Sequence, residues 1–234
     1  MALPKLEHPL FDLKIPSTQE KVKFRPFTVK EEKILLVAKE SQERSQMIDA
    51  IKQIISNCIE DIEVNKLAIF DIEYIMLQIR AKSVNNVIDF KIKDPDTEEE
   101  VELSIDIDDI QIQFDDDHTD RIHLQDETYL IMRYPSVKEL DMIFELTQQE
   151  SSEKMFDLLV KCFDKIVDGE NVYNVKDHTD KEIEDFVNSL SSRNIQEIKK
   201  FFDTMPVMKY EKKYKNKNGD EKTFVVRGTE TFFL

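Results

Sequence analysis

The chain has 234 residues, 40% hydrophobic and 35% charged, enough to bury one large core or two small ones beneath a heavily solvated surface. Its formal net charge of −16 excludes broad binding to nucleic-acid phosphates and electrostatic docking on an anionic membrane, both of which need a basic face. Three glycines leave no room for a glycine-rich phosphate loop, and two cysteines without CxxC spacing fit a reducing cytoplasm.

Taken in order, Met1 to Lys5 lack the long apolar core of a signal peptide, and no stretch reaches the length of a membrane span. Residues 6–27 predict a hairpin: Phe11, Leu13 and Ile15 alternate with polar residues, Pro16-Ser17-Thr18 turns, and Val22 to Phe24 returns. At the end of that hairpin stands Arg25-Pro26-Phe27-Thr28-Val29-Lys30-Glu31. Thr28 and Glu31 have the spacing of a capping box, in which each side chain bonds the other residue's backbone N–H, so a helix is expected from Thr28 to Ser41. A second helical stripe runs through Met47, Ile48, Ile51, Ile54, Ile55, Cys58 and Ile59. Ile69, Ile72, Ile75, Met76 and Ile79 give a third helix, starting near Asn65. Residues 87–92 and 101–105 alternate like strands around Asp94-Pro95-Asp96-Thr97 and predict a second hairpin.

The order then returns. Ile110, Ile112 and Phe114 alternate, and Leu124 to Met132 reads as a hairpin feeding Arg133. In Arg133-Tyr134-Pro135-Ser136-Val137-Lys138-Glu139, Ser136 and Glu139 take the capping-box positions and Arg133 stands where Arg25 did. A helical stripe follows through Met155, Leu158, Leu159, Cys162, Phe163 and Ile166, broken by Asp168-Gly169-Glu170-Asn171. Thr179 and Glu182 cap a further helical stretch, interrupted at Ser191-Ser192 and stopped by Pro206. A last hairpin, Met208 to Tyr214 and Thr223 to Arg227, is expected to turn at Asn218-Gly219. Both halves therefore read hairpin, three helical segments, hairpin. The expected fold is α+β, a tandem duplication of that module, with a first module at 1–109 and a second at 110–234 carrying the C-terminal hairpin and an aromatic tail.

No G-x-S-x-G, H-E-x-x-H or Walker pattern is present. Asp117-His118-Thr119-Asp120 and Asp177-His178-Thr179-Asp180 repeat a tetrapeptide, but at non-equivalent places in the two halves. For the second, the helix cap at Thr179 is a stronger account than a metal site, and for the first a polar turn explains Asp115, Asp116 and Asp117 equally well. A metal-dependent hydrolase using His118, His123 and His178 is the rival of another class, and metal analysis discriminates it. No catalytic, cofactor-binding or metal-binding residues are assigned, and none of the chemistry asks for a cofactor. Arg25, Thr28, Glu31, Arg133, Ser136 and Glu139 are assigned a structural role. Each Arg can pair with a carboxylate of its own module or stack on a neighbouring ring. The apolar ending Phe232-Phe233-Leu234 either tucks onto its own domain or docks on a partner, and supplies the candidate partner-binding residues.

A set of segments spread along the chain carries a family likeness. Met1-Ala2-Leu3-Pro4-Lys5-Leu6, the run from Arg25 to Leu35, Phe70-Asp71-Ile72-Glu73-Tyr74-Ile75 and Leu77 to Ser83 resemble the T-even-type phage baseplate hub subunit family. So do Met132-Arg133-Tyr134-Pro135, Phe201-Phe202-Asp203-Thr204-Met205-Pro206, and Gly228 with Phe232-Phe233. The resemblance implies a non-enzymatic structural or assembly protein of the baseplate central hub. It would act in the host cytoplasm beside hub and tape-measure proteins, with or without retention in the virion. It implies no nucleic-acid or membrane partner, and leaves room for a homo-oligomer. An assembly chaperone that leaves before the tail is complete is the alternative. Some members carry paired cysteines at the hairpin tips. Here those tips read Asp94-Pro95-Asp96-Thr97 and Lys217-Asn218-Gly219-Asp220, so metal binding is not carried over.

Overall fold

The computed structural model describes residues 6–140, 142, 143, 146 and 152–227. Six helices and four small antiparallel sheets are present among them, an α+β fold. The chain divides into two compact units. Described residues up to Gln113 form the first together with those from Val207 onward, and Phe114–Pro206 form the second. This differs from the expected seam at residue 109, and it moves the C-terminal hairpin out of the second module.

The first unit begins with β1 (Phe11–Lys14) and β2 (Lys21–Phe24), paired in register from Phe11↔Phe24 to Lys14↔Lys21. Their loop closes on Gln19, which takes the left-handed conformation at φ 61°. Three helices follow: α1 (Val29–Ser41), α2 (Arg44–Cys58) and α3 (Ile69–Ser83). The third helix starts at Ile69, because Val64–Lys66 near the expected start form a 3-10 turn that Leu67 closes. Burial explains the prominence of α3. Phe70, Ile72, Ile75, Met76, Leu77, Ile79 and Ala81 are all inside, so this helix is apolar on several faces instead of one stripe. Each fully buried Ile or Leu contributes about 1.5–3 kcal/mol of transfer free energy.

Next come β3 (Val87–Lys93) and β4 (Glu100–Asp106), then the short β5 (Gln111–Gln113). The last two strands of the chain, β10 (Val207–Lys215) and β11 (Glu221–Arg227), return to this unit. β10 pairs with β5 through Met208↔Ile112, giving a sheet of order β11-β10-β5. One core explains the return. Leu77 and Ala81 of α3 gather with Ile88, Ile105, Ile107, Ile110, Met208 and Tyr210, and Phe90 meets Phe224 at 5.2 Å between ring centroids. The turn of the last hairpin is longer than the two residues expected at Asn218-Gly219. Asn216 N–H bonds Asp220 O, and Gly219 sits at φ 86°, so Lys217, Asn218 and Gly219 form the loop.

The second unit holds a four-stranded meander in the order β6-β7-β8-β9: β6 (Arg121–Gln125), β7 (Thr128–Met132), β8 (Phe163–Asp168) and β9 (Asn171–Asn174). Between β7 and β8 lie a 3-10 turn at Val137–Glu139 and α4 (Ser152–Lys161). After β9 come α5 (Asp180–Ser189) and α6 (Ser192–Asp203), which packs on β6.

Here the expected helix through Phe163 and Ile166 is overturned. The helix ends at Lys161 and the next residues form β8. The cause is a β-bulge: Met132 faces Phe163 but Ile131 faces Lys165, so Asp164 is the extra residue. An inserted residue puts positions three apart on one face of a strand, the spacing that reads as helix. Phe163 and Ile166 both join the core of Ile122, Leu130, Met132, Leu158, Leu159, Cys162, Ile198 and Phe201. The expected break at Asp168–Asn171 is instead the two-residue turn between β8 and β9, with Gly169 at φ 58°.

Candidate functional site

Two corners carry the residues assigned from sequence. In the first unit, β2 ends at Phe24, and Arg25 N–H donates to Cys58 O at 3.0 Å, tying the strand end to the last turn of α2. The Arg25 guanidinium turns back to donate through Nη1 to Pro26 O at 2.9 Å. It also meets Glu31 twice, Nη1 to Oε2 at 3.3 Å and Nη2 to Oε1 at 3.1 Å. Glu31 Oε2 further accepts from Thr28 N–H at 2.9 Å and from Thr28 Oγ1 at 2.6 Å, and Asn57 Nδ2 donates to Oε1 at 3.2 Å. The Glu31 side chain has no solvent exposure, so the sequence's two alternatives for Arg25 resolve to its own capping glutamate. Phe27 N–H reaches Ser83 Oγ at 2.9 Å, which joins this corner to the end of α3.

The second corner repeats the strand tie, the guanidinium–glutamate pair and the hydroxyl cap. Arg133 N–H donates to Cys162 O at 2.8 Å, Nη1 to Tyr134 O at 3.1 Å, and the guanidinium grips Glu139 at 3.3 and 2.9 Å. Ser136 N–H and Oγ each donate to Glu139 Oε2 at 2.8 Å. Arg133 Nη2 also donates to Lys161 O at 2.6 Å, a bond for which the first corner shows no counterpart among the described residues.

These geometries set the charge states. Burial pushes the Glu31 carboxyl up, but bonds from Arg25 and Thr28 outweigh it and hold the group down at about 2. Glu139 is likewise held below the carboxylate range by Arg133 and Ser136 against its burial. Burial pushes the Cys58 thiol up to about 11 and Cys162 to about 12, so both are protonated and poor nucleophiles. The corners use bidentate arginine–carboxylate pairs to fix a strand end against a helix end.

Other polar groups are also consumed internally. Asp71 Oδ2 accepts from Ala68 N–H at 3.0 Å, doing the carboxylate half of a capping box. Ala68 has no hydroxyl, and Ser17 of the β1–β2 loop supplies one, donating from N–H at 2.8 Å and Oγ at 2.5 Å. This tie spans 54 residues, so local spacing gave no signal beyond an Asp in a first helical turn. His118 is held by Thr204 Oγ1 at Nδ1 and Tyr134 Oη at Nε2, both at 2.9 Å, stacks on Tyr134 and lies tilted against Phe201. Burial lowers its pKa. His123 Nε2 lies 3.0 Å from Asp126 O, and His178 Nδ1 lies 3.8 Å from Glu182. The structure thus brings none of the three histidines together, and no group of three or more His, Cys, Asp or Glu that could hold a metal occurs among the described residues.

The tips of the β3–β4 and β10–β11 hairpins lie against each other. Tyr214 Oη donates to Asp94 Oδ2 at 2.8 Å, and Lys217 and Lys222 pair with Glu99 and Asp96. In the second unit an open groove of about 420 Å³ runs between the sheet and α5, lined by Phe163, Ile166, Tyr173, Val175, Ile183 and Phe186. Phe232, Phe233 and Leu234 lie outside the described residues.

No described helix is long and apolar enough to cross a membrane. Comparison with known proteins gives no curated protein and no solved structure that matches. A protein family does match, T4 bacteriophage base plate protein, over residues 8–234, and that span takes in both arginine corners, both units and the terminal hairpin. The chain belongs to the T4 bacteriophage base plate protein family.

Proposed function

We propose that this baseplate protein serves in the central hub, as a non-enzymatic structural or assembly component that acts through contacts with hub and tape-measure proteins in the host cytoplasm. The observation that carries the reading is the family match along nearly the whole chain. It agrees with the way the charged corners spend their hydrogen bonds inside the fold. Apolar side chains such as Val29, Leu36, Val37 and Val84 stay at the surface, each more than half exposed.

The two corners also support a tandem origin for the two units. A shared Arg-to-Cys backbone bond, a shared guanidinium–glutamate clamp and a shared hydroxyl cap are hard to reach twice by composition alone. The repeat is imperfect, since the terminal hairpin belongs to the first unit.

The net charge of −16 supports a second reading, a transient chaperone that keeps an aggregation-prone partner soluble and then leaves. Quantitative mass spectrometry of purified mature tails separates the two. A hub subunit is present at fixed stoichiometry, whereas a chaperone is absent from tails and abundant in assembly intermediates. Removing Phe232-Phe233-Leu234 is expected to weaken incorporation without unfolding the protein, and normal incorporation of the truncated chain refutes a docking role for the tail.

A further inference from the structure

Two strands of the first unit have one neighbour each among the described residues: β3, paired only with β4, and β11, paired only with β10. Each is seven residues long without proline or glycine, and presents a row of backbone N–H and C=O groups that another strand can bond. The alternation of an antiparallel ladder says which residues supply them. Asp94 N–H bonds Glu99 O and Ile107 N–H bonds Asn86 O at the two ends of the β3–β4 pair. Ile88, Phe90 and Ile92 therefore bond inward to β4, while Val87, Asp89, Lys91 and Lys93 turn their backbone groups outward. In the last hairpin Asn216 N–H bonds Asp220 O, and the same alternation turns the backbone groups of Glu221, Thr223, Val225 and Arg227 outward.

Charge and register say what fits these edges. An antiparallel copy of β3 bonds β3 only where outward residues meet outward residues. The register that uses all seven residues centres Phe90 on Phe90 and sets each Asp89 opposite the other copy's Lys91. Slipping it by one permitted step either way sets Asp89 opposite Asp89 or Lys91 opposite Lys91. Length and charge thus select a single register, in which β3 is complementary to itself. Asp89 and Lys91 are exposed, and their present partners on β4, Ser104 for Asp89 and Glu100 and Glu102 for Lys91, are exposed as well. The full register of β11 centres Phe224 on Phe224, sets Thr223 opposite Val225, and sets Glu221 opposite Arg227. The two centres already touch: Phe90 and Phe224 lie 5.2 Å apart between ring centroids, so one twofold axis serves both strands. We infer that a second copy of this chain is the partner of these edges, joined through β3–β3 and β11–β11 antiparallel pairs about that axis. The inference deepens the reading that the chain works by protein–protein contact, and its failure leaves that reading to the mass spectrometry of tails.

The test uses the purified full chain, which is expected to sediment as a dimer at micromolar concentration in the analytical ultracentrifuge. Asp89→Lys and Lys91→Asp each set like charges opposite each other twice, so each variant is expected to dissociate at least about tenfold more readily. An equimolar mixture of the two variants is expected to dimerise again, because both opposite-charge pairs return, and that recovery also shows that both variants fold. Disulfides read the register, since residues directly opposed in such a pair lie within disulfide reach. Oxidation is expected to link a mixture of Asp89→Cys and Lys91→Cys chains, and a mixture of Thr223→Cys and Val225→Cys chains, while none of the four links to itself. A wild-type monomer overturns the proposal. So does a monomer that pairs only after residues 228–234 are removed, which gives the edge of β11 to the chain's own end. Failure of the charge mixture to recover, or a Cys variant that links to itself, overturns the register. Links at one strand but not the other overturn the shared axis.

Discussion

Glu31→Gln isolates the charge of the first corner without changing its shape. In the native protein Glu31 titrates near 2 instead of its usual 4.5, because Arg25 and Thr28 bond the carboxylate. At about 1.4 kcal/mol per tenfold change in proton affinity, that difference corresponds to about 3 kcal/mol of stability. The partner guanidinium is 26% exposed, and solvent screening trims the expected loss to about 2 kcal/mol. The sign follows from the lowered pKa: the contribution is complete above pH 4.5 and disappears as pH falls from 4.5 toward 2. Hydrogen exchange read by mass spectrometry on peptides from α1 and α2 measures it locally, which matters in a chain of two units where a global melt need not be two-state. At pH 7, Glu31→Gln is expected to speed exchange in those peptides by about thirtyfold, and to leave peptides of the four-stranded sheet unchanged. By pH 3 the difference between variant and wild type falls to less than about half in free energy. A loss under about 0.5 kcal/mol at pH 7, or an equal loss at both pH values, refutes the charge clamp as the reason for the corner's stability.

Three further outcomes follow from the same geometry. Both thiols sit far above neutral, so Cys58 and Cys162 are expected to resist a thiol-reactive disulfide reagent at pH 8 and to react together once urea unfolds the chain; fast reaction in the native protein contradicts their burial. His118 has a lowered pKa, so the unfolded chain binds its proton more readily; protection of the second unit is expected to fall as pH drops below about 6.5, and His118→Gln to flatten that slope. Asn194 accepts from Ser191 and donates through Nδ2 to Leu124 O at 3.1 Å, so Asn194→Ala is expected to cost about 1–3 kcal/mol in α6 by hydrogen exchange, with a change under about 0.5 kcal/mol counting against that bond's role.

Local chemistry was legible in the sequence where three or four residues decide the outcome. The caps at Thr28–Glu31, Ser136–Glu139 and Thr179–Glu182 follow from spacing alone, because both partners lie within one helical turn. The cap at Ser191 was read only as an interruption, since Asn194 supplies the amide oxygen where the usual pattern has Glu or Gln. Distance in sequence hid the rest. Nothing near Asp71 announces Ser17, and nothing near His118 announces Thr204, 86 residues away. The bulge at Asp164 disguised a strand as a helix. The return of β10 to β5 depends on a shared core under α3, where Met208 and Tyr210 meet Leu77, and no hairpin pattern encodes its neighbour. The arginines' partners were open between carboxylate and ring until the fold placed Glu31 and Glu139 against them.

We propose that this member of the base plate family builds the phage tail through contacts and does no chemistry. An amber mutation early in its gene, followed by electron microscopy of tail structures from the non-permissive infection, tests it most directly. Complete baseplates are expected to be missing, and purified wild-type protein added to the extract is expected to restore them in proportion to the amount supplied, without turnover. Normal baseplates in its absence, or full restoration by catalytic traces of protein, contradict it.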